Sequence, residues 1–494
     1  MSIVKSLLLG SAAGLVAVAS AQAADLPAKS KAVEYVKVCD AYGAGFYYIP
    51  GTDVCLKVGG YLRADYYTAF ANGGTAPLYI GQNNITQDGN VSYDRADDLT
   101  TTRARVAIDL DARTRTEYGT LRSYGRFYVS NDSAGGSSTL TNSVSSRAVD
   151  MDRAFIQFAG FTFGYVQSFF DFSTGLGTFV TANVGSNKLN NVFAYTASLG
   201  NGLSVTIAAE DAANRRSQIQ ARAGLTTPDT FDLDNGTGHV SYTDGTLAQA
   251  GLAMPEFVAN IRIDQSWGSA QLSGAIHQLR SDTSDLAQVA GFTRAEDNDT
   301  DYGFAIGAGI TFNLDSLTKG DQFIVQGSYA DGATEYTGLS GQNQNGGRPG
   351  LGIIRGTSGA VVDLADGYVD PVTGSIEKVS AWTIRADFRH FWTPGLRSTL
   401  FGGYSSVDVP EVVGVTNYAG ATVGTGGYYS TARDFNLYQI GFNTTWSPVR
   451  NLDIGVELLY SKIDVGGDFD PDGKAYYQND EDIFSGMLRV QRNF

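Results

Sequence analysis

The side chains able to do chemistry in this 494-residue chain are few and, with one exception, scattered. Its three histidines, His239, His277 and His390, lie far apart, and no Gly-x-Ser-x-Gly elbow presents a nucleophile to any of them. No activated nucleophile with a base can be assembled from this spacing, so the chain reads as a non-enzyme without a cofactor. Asp468-x-Asp470-x-Asp472-Gly473 copies the start of a calcium loop, but Asn479 stands where that loop needs a bidentate glutamate. Glu296-Asp297-Asn298-Asp299-Thr300-Asp301 is a plain acidic run, read as solvated surface. No metal site is expected from either. The exception is arginine with aspartate. Between Thr101 and Arg113 the odd positions read Thr101, Arg103, Arg105, Ala107, Asp109, Asp111, Arg113, while the even ones read Thr102, Ala104, Val106, Ile108, Leu110, Ala112.

Charges on one face and aliphatics on the other, with period two, are the pattern of a strand that has water on one side and oil on the other. A helix would bring Arg103, Val106 and Ala107 onto a common face. The alternation recurs. Lys57, Tyr61, Arg63 and Asp65 oppose Val58, Leu62 and Ala64; Arg122, Tyr124 and Arg126 oppose Leu121, Phe127 and Val129. Thr383, Arg385, Asp387 and Arg389 oppose Trp382, Ile384, Ala386 and Phe388, and Asp453 and Glu457 oppose Leu452, Ile454, Val456, Leu458 and Tyr460. Further strands are predicted near 148–159, 160–169, 191–199, 202–210, 256–267, 269–280, 301–313, 321–331, 395–408, 433–447 and 482–494, giving about sixteen. Short turns such as Gly200-Asn201-Gly202, Trp267-Gly268-Ser269 and Thr393-Pro394-Gly395 alternate with long polar loops near 69–100, 131–147, 170–190, 211–255, 281–299, 332–377, 409–432 and 465–481. That asymmetry predicts an all-β, antiparallel transmembrane barrel with short periplasmic turns and long extracellular loops. In a bilayer only closure satisfies every strand's backbone groups, and a barrel of about sixteen strands leaves an aqueous channel.

The rest of the chain agrees. An early Lys5, an apolar run from Leu7 to Ala19 and Ala21-Gln22-Ala23 read as a secretory signal over residues 1–23, followed by one barrel domain over 24–494. The apolar run is shorter than the roughly 20 residues a spanning helix needs. Export places Cys39 and Cys55 in an oxidising compartment, where they are expected to form one structural disulfide rather than two free thiols or a metal site. Sixty glycines, 27 tyrosines and 26 phenylalanines suit a large β protein with aromatic bands and tight turns. A net charge of −16 argues against nucleic acid as a partner. The last strand ends in Phe494, with Leu488 and Val490 on the same face and Arg492 interrupting it. A terminal aromatic of this kind resembles the assembly signal of outer-membrane barrels.

The stretch from Val33 to Lys57, with Cys39-Asp40-Ala41-Tyr42-Gly43-Ala44-Gly45-Phe46 and Pro50-Gly51-Thr52-Asp53-Val54-Cys55 at its centre, is very similar to the N-terminal signature of the alphaproteobacterial general porins. Arg489-Val490-Gln491-Arg492-Asn493-Phe494 is similar to their C-terminus. The resemblance implies a sixteen-stranded homotrimeric barrel in the bacterial outer membrane, in contact with its lipid and lipopolysaccharide. It also implies a pore narrowed by an inward-folded third long loop, which passes small hydrophilic solutes and ions by diffusion. A solute-specific channel, for oligosaccharides for example, is the alternative; loop folding would then bring in Phe169, Phe172 and Phe179. Ser168-Phe169-Phe170-Asp171-Phe172 resembles the entry to the family's constriction loop, and Asp171 is its expected acidic contribution. Arg63, Arg103, Arg105, Arg122 and Arg126 form the expected basic wall. Two features qualify this pattern. Between 169 and 190 the only charges are Asp171 and Lys188, and the arginines could instead brace the wall by bonding Asp65, Asp109 and Asp111.

Overall fold

A computed structural model describes residues 37–70, 100–132, 147–179, 185–221, 246–247, 249–282, 298–339, 354–355, 361–362, 364–369, 374–410, 434–465 and 481–494. The predicted signal segment, His239 and the Asp468–Gly473 motif lie outside them. Two compact units are distinguished, one ending at Leu56 and the other beginning at Lys57.

In the first unit the expected disulfide is formed. Cys39 and Cys55 are bonded with their Cα atoms 5.9 Å apart, across a sequence separation of 16. Tyr47 and Tyr48 pair with Leu56 and Cys55, and the buried disulfide packs with Phe46, Tyr42 and Tyr48. So small a segment cannot bury a core of its own. Closing a loop of this length stabilises it by about 3 kcal/mol in the chain-entropy model.

In the second unit sixteen antiparallel strands close on themselves. They are β1 (Cys55–Phe70), β2 (Thr100–Thr116), β3 (Gly119–Asp132), β4 (Arg147–Phe158), β5 (Phe161–Gln167), β6 (Leu189–Gly200), β7 (Leu203–Glu210) and β8 (Glu256–Gln265). The series continues with β9 (Gly268–Arg280), β10 (Thr300–Asn313), β11 (Gln322–Asp331), β12 (Ser380–Thr393), β13 (Leu396–Asp408), β14 (Phe435–Val449), β15 (Leu452–Val465) and β16 (Glu481–Asn493). Each strand pairs with its sequence neighbours, and β1 closes onto β16 in register from Tyr61↔Asn493 to Phe70↔Phe484. The alternation is realised as predicted: Val106, Ile108 and Leu110 are exposed on the outer face, whereas Ala107 and Asp111 are buried inside. An apolar belt of this extent is unfavourable in water and expected against lipid. Register follows from it, since a slip by one residue would turn every arginine into the bilayer.

Turn chemistry fixes the short ends. Asn201 and Gly202 both adopt positive φ, 51° and 74°, as a two-residue hairpin matching the strand twist requires. Most strand bounds agree with the periodicity to within about two residues, whereas β1, β2, β3, β12 and β15 run longer than the alternation alone indicated. Two long loops also carry structure that the alternation did not announce. Ile219–Ala221, Thr246–Leu247, Gly367–Val369 and Ile376–Lys378 join in a small four-stranded mixed sheet.

Candidate pore constriction

The loop between β5 and β6 leaves the wall at Ser168 and rejoins it at Lys188, where Ser168 N donates to Lys188 O at 2.9 Å. Its described residues, 169–179 and 185–187, lie along the inside of the barrel. Asn260 Nδ2 of β8 donates to Phe169 O at 2.6 Å, and Ser273 Oγ of β9 donates to Phe170 O at 2.8 Å. Ser173 exchanges two hydrogen bonds with the Gln326 side chain of β11. Thr399 Oγ1 of β13 donates to Leu176 O, and Asn443 Nδ2 of β14 donates to Gly177 O. Finally Phe179 N donates to Glu457 Oε2 of β15 at 2.7 Å, and the Phe179 ring lies 5.0 Å from the Arg489 guanidinium of β16. The wall strands thus satisfy the loop's backbone in place of water, which lets an irregular segment sit inside the barrel.

Small inward residues make room for it. At Gly309 a Cβ would lie 2.1 Å from the Phe172 ring, and at Gly455 one would lie 2.4 Å from the Phe179 ring. The stripe Gly303, Ala305, Gly307, Gly309, at every second position of β10, was a readable sign that something packs on that face. It was missed because glycine in a strand is ordinarily read only as a weak point.

At its root the loop is tied to its surroundings by buried ion pairs. The Asp171 carboxylate accepts from Arg215 Nη2 at 2.9 Å and from Lys188 N at 2.6 Å, and also from Ser186 Oγ and Gln167 Nε2. Lys188 Nζ meets Glu335 Oε2 at 2.9 Å, with both side chains almost fully buried. Arg215 stacks on Tyr336, whose hydroxyl donates to Glu256; Glu256 also contacts His277, and His277 Nε2 lies 3.6 Å from Asp366 Oδ2. Burial opposes the Arg215 cation, yet Asp171, Tyr336 and Glu210 together push its pKa above the ordinary arginine value. Burial and Glu256 hold the Tyr336 hydroxyl well above its usual range. This corrects one expectation. Asp171 stands at the loop root, as placed, but its carboxylate is buried against Arg215 and is not presented to the lumen. His277 of β9 is likewise fully buried, between Glu256 and Asp366.

The five arginines are brought together on the inner face of β1–β3, opposite the strands that carry the loop. Arg63 Nε lies 3.1 Å from Asp65, which also holds Arg489 at 2.7 Å and Tyr67 Oη at 3.1 Å. Arg105 donates to Ser130 Oγ at 2.8 Å and covers the Tyr128 ring at 3.8 Å. Arg122 and Arg113 share Asp111, and Arg126 pairs with Asp109 at 2.6 Å. Arg103 is buried on the same face. Sequence reasoning missed Arg489, whose strand was read mainly for its C-terminal aromatic, and Arg215, which lies in a loop without periodicity. Among the described residues no group of three or more His, Cys, Asp and Glu is arranged to hold a metal ion.

The family described as "Porin subfamily" matches residues 24–487. Porin Omp2b of Brucella melitensis biotype 1 is 36% identical over 274 residues, covering 54% of this chain and 64% of that protein. Porin Omp2b of Brucella suis biovar 1 matches with the same identity and coverage. The aligned part therefore spans less than two thirds of these relatives' length. Among solved structures, the outer membrane channel DcaP of Acinetobacter baumannii superposes with a TM-score of 0.57 at 17% identity, over 90% of this chain and 99% of that one, which shows a shared fold.

Proposed function

Since this chain belongs to the porin subfamily, we propose that it is a general diffusion channel, a water-filled passage for small hydrophilic solutes and ions. Its place is the outer membrane. The observation that carries the channel reading is the path of the inner loop. Bonded from β8 to β15, it narrows the lumen from one side and leaves the arginine wall of β1–β3 facing it. A barrel of sixteen strands is too wide for side chains to fill, so a loop laid against one wall constricts without plugging. Passage needs no chemical step, and we assign no catalytic residue and no cofactor. In this reading residues 1–23 are removed on export, and the mature chain assembles as a homotrimer in contact with lipid and lipopolysaccharide. Arg63, Arg103, Arg105, Arg122 and Arg126 line the constriction, and Asp171 contributes by anchoring the loop.

A solute-specific channel would need aromatic faces free to stack on a sugar. Phe172 and Phe179 are instead laid on the wall at Gly309 and Gly455, which favours the general reading. The test is reconstitution of the refolded protein in a planar bilayer. Large ohmic conductance steps, in triplets, are expected. Absence of steps from a barrel that still shows heat-modifiable mobility on a gel would overturn the channel reading, and saturable block by an oligosaccharide would replace it with the specific one.

A further inference from the structure

Although the chain as a whole is strongly acidic, the charges at the constriction have the opposite balance. From Phe172 to Asn187 the inner loop contains no charged residue. The two charges at its ends, Asp171 and Lys188, are buried against Arg215 and Glu335. The loop therefore presents no carboxylate of its own to the passage. On the facing wall Arg63 and Arg489 share Asp65, and Arg105 stands beside Arg63, which feels both of the others as repulsive neighbours. Glu457, beneath the loop tip, is buried and accepts from Phe179 N and Asn443 Nδ2. Three guanidiniums thus stand against two carboxylates, and those two face the protein rather than the passage. Farther along the wall the charges are matched, with Arg113 and Arg122 on Asp111 and Arg126 between Asp109 and Asp152, so the surplus lies at the Arg63, Arg105 and Arg489 cluster.

Two details point to a ligand rather than to bracing alone. Arg105 has neutral partners only, the Ser130 hydroxyl and the Tyr128 ring. Arg63 Nη2 is buried with no hydrogen-bond partner among the described residues. Both guanidinium forks keep donors unused, and the aromatic face under Arg105 fixes its plane. A planar fork with free parallel donors matches a carboxylate or phosphate, which accepts two hydrogen bonds at once.

We propose that the pore prefers anions, and that Arg63 and Arg105, with Arg489 beside them, form a subsite for small oxyanions at the constriction. The inference rests on the channel reading above. The acidic extracellular loops do not cancel it: beyond a Debye length of about 8–10 Å their charges are screened in ordinary salt. The constriction charges act between low-dielectric walls that concentrate their field.

The experiment uses the refolded full-length barrel in a planar bilayer under a KCl gradient, with inorganic phosphate as the oxyanion probe. The zero-current potential is expected to make the dilute side negative, and added phosphate is expected to lower chloride conductance saturably. Arg63→Gln/Arg105→Gln, checked for heat-modifiable mobility, is expected to bring the potential to zero or reverse it and to abolish the phosphate effect. Arg105→Lys keeps the charge but loses the fork. It is expected to keep the sign of the potential while losing most of the phosphate effect. Open channels whose dilute side turns positive, or a double variant with unchanged potential, would overturn the anion preference while leaving the channel intact. Wild-type conductance indifferent to phosphate would overturn the subsite. Absence of any channel would overturn the reading on which both rest.

Discussion

The root of the inner loop and the wall opposite it use the same side chains to different ends. At the root Arg215 and Lys188 are almost fully buried, and each has a carboxylate, Asp171 or Glu335, within 2.9 Å. On the wall Arg122 keeps about a quarter of its side-chain surface and Arg63 and Arg489 about a tenth, and at Asp65 two guanidiniums share one carboxylate while Arg105 has none. The difference follows from solvent. A cation removed from water without a partner costs several kcal/mol, so burial enforces matching. In a wet lumen an exposed ion pair contributes only about 0–1 kcal/mol, so an unmatched arginine is tolerated and its field remains available to solutes. Matched charge holds the loop; unmatched charge faces the passage.

The strongest way to break that contrast is to unmatch the root. Arg215→Met leaves Asp171 buried beside hydrogen-bond donors but without its cation, and is expected to cost about 3–5 kcal/mol. Denaturant unfolding of the refolded barrel would measure the loss, and bilayer recordings should show larger, noisier steps as the loop root loosens. The double variant Asp171→Asn/Arg215→Met is expected to recover part of the stability, because the buried position 171 no longer carries a charge without its cation. Additive effects of the two changes would refute the pairing.

The next perturbation is pH. Asp366 is fully buried above the root, accepting from Thr334 N and Oγ1, with His277 of β9 and Glu335 as its charged neighbours. Burial pushes its carboxyl up to about 7, with His277 and the Thr334 hydrogen bonds acting in the opposite direction. A folded pKa above the unfolded value of about 3.9 means that the native state binds the extra proton between those values. The stability this provides is complete below about pH 4 and is lost as pH rises through about 7. The Thr334 amide should therefore exchange more than about tenfold faster at pH 8 than at pH 5 after correction for intrinsic exchange. Asp366→Asn should remove that excess. A pH-independent exchange rate in the parent protein would show that the site does not titrate in this range.

How much of this could be read beforehand depended on periodicity. The sixteen strands, their inward arginines and the disulfide were legible, because alternation and compartment act locally along the chain. The place of the third loop was legible only through the resemblance at Ser168–Phe172. The fate of Asp171 was not legible, since its partner Arg215 lies 44 residues on in a segment without repeating pattern. Nor were the buried contacts of Tyr336 and Asp366, which depend on how two long loops meet over β8 and β9. Strand faces are dictated by neighbours two residues away. Loop contacts depend on closure of the whole barrel, which no short window of sequence reports.

A smaller change tests where the loop is held. At the tip, Phe179 lies against Gly455 and under Arg489, but its hold on the wall is a backbone hydrogen bond from its amide to Glu457. Tyr336→Phe, at the root, removes the hydroxyl that donates to Glu256 and should cost about 1–3 kcal/mol, since the carboxylate stays buried with one partner fewer. Phe179→Leu leaves the backbone bond in place and removes only the ring, a cation–π contact worth about 0.5–1 kcal/mol. Stability should hardly change and the conductance steps should keep their size. Arg489, still held by Asp65, would lose the ring that steadies it on the other side, altering phosphate affinity by about two- to fivefold at most. Should Phe179→Leu instead open the pore as widely as Arg215→Met, the loop would be held at its tip, and the division between a matched root and an unmatched wall would fail at the point where the two regions meet.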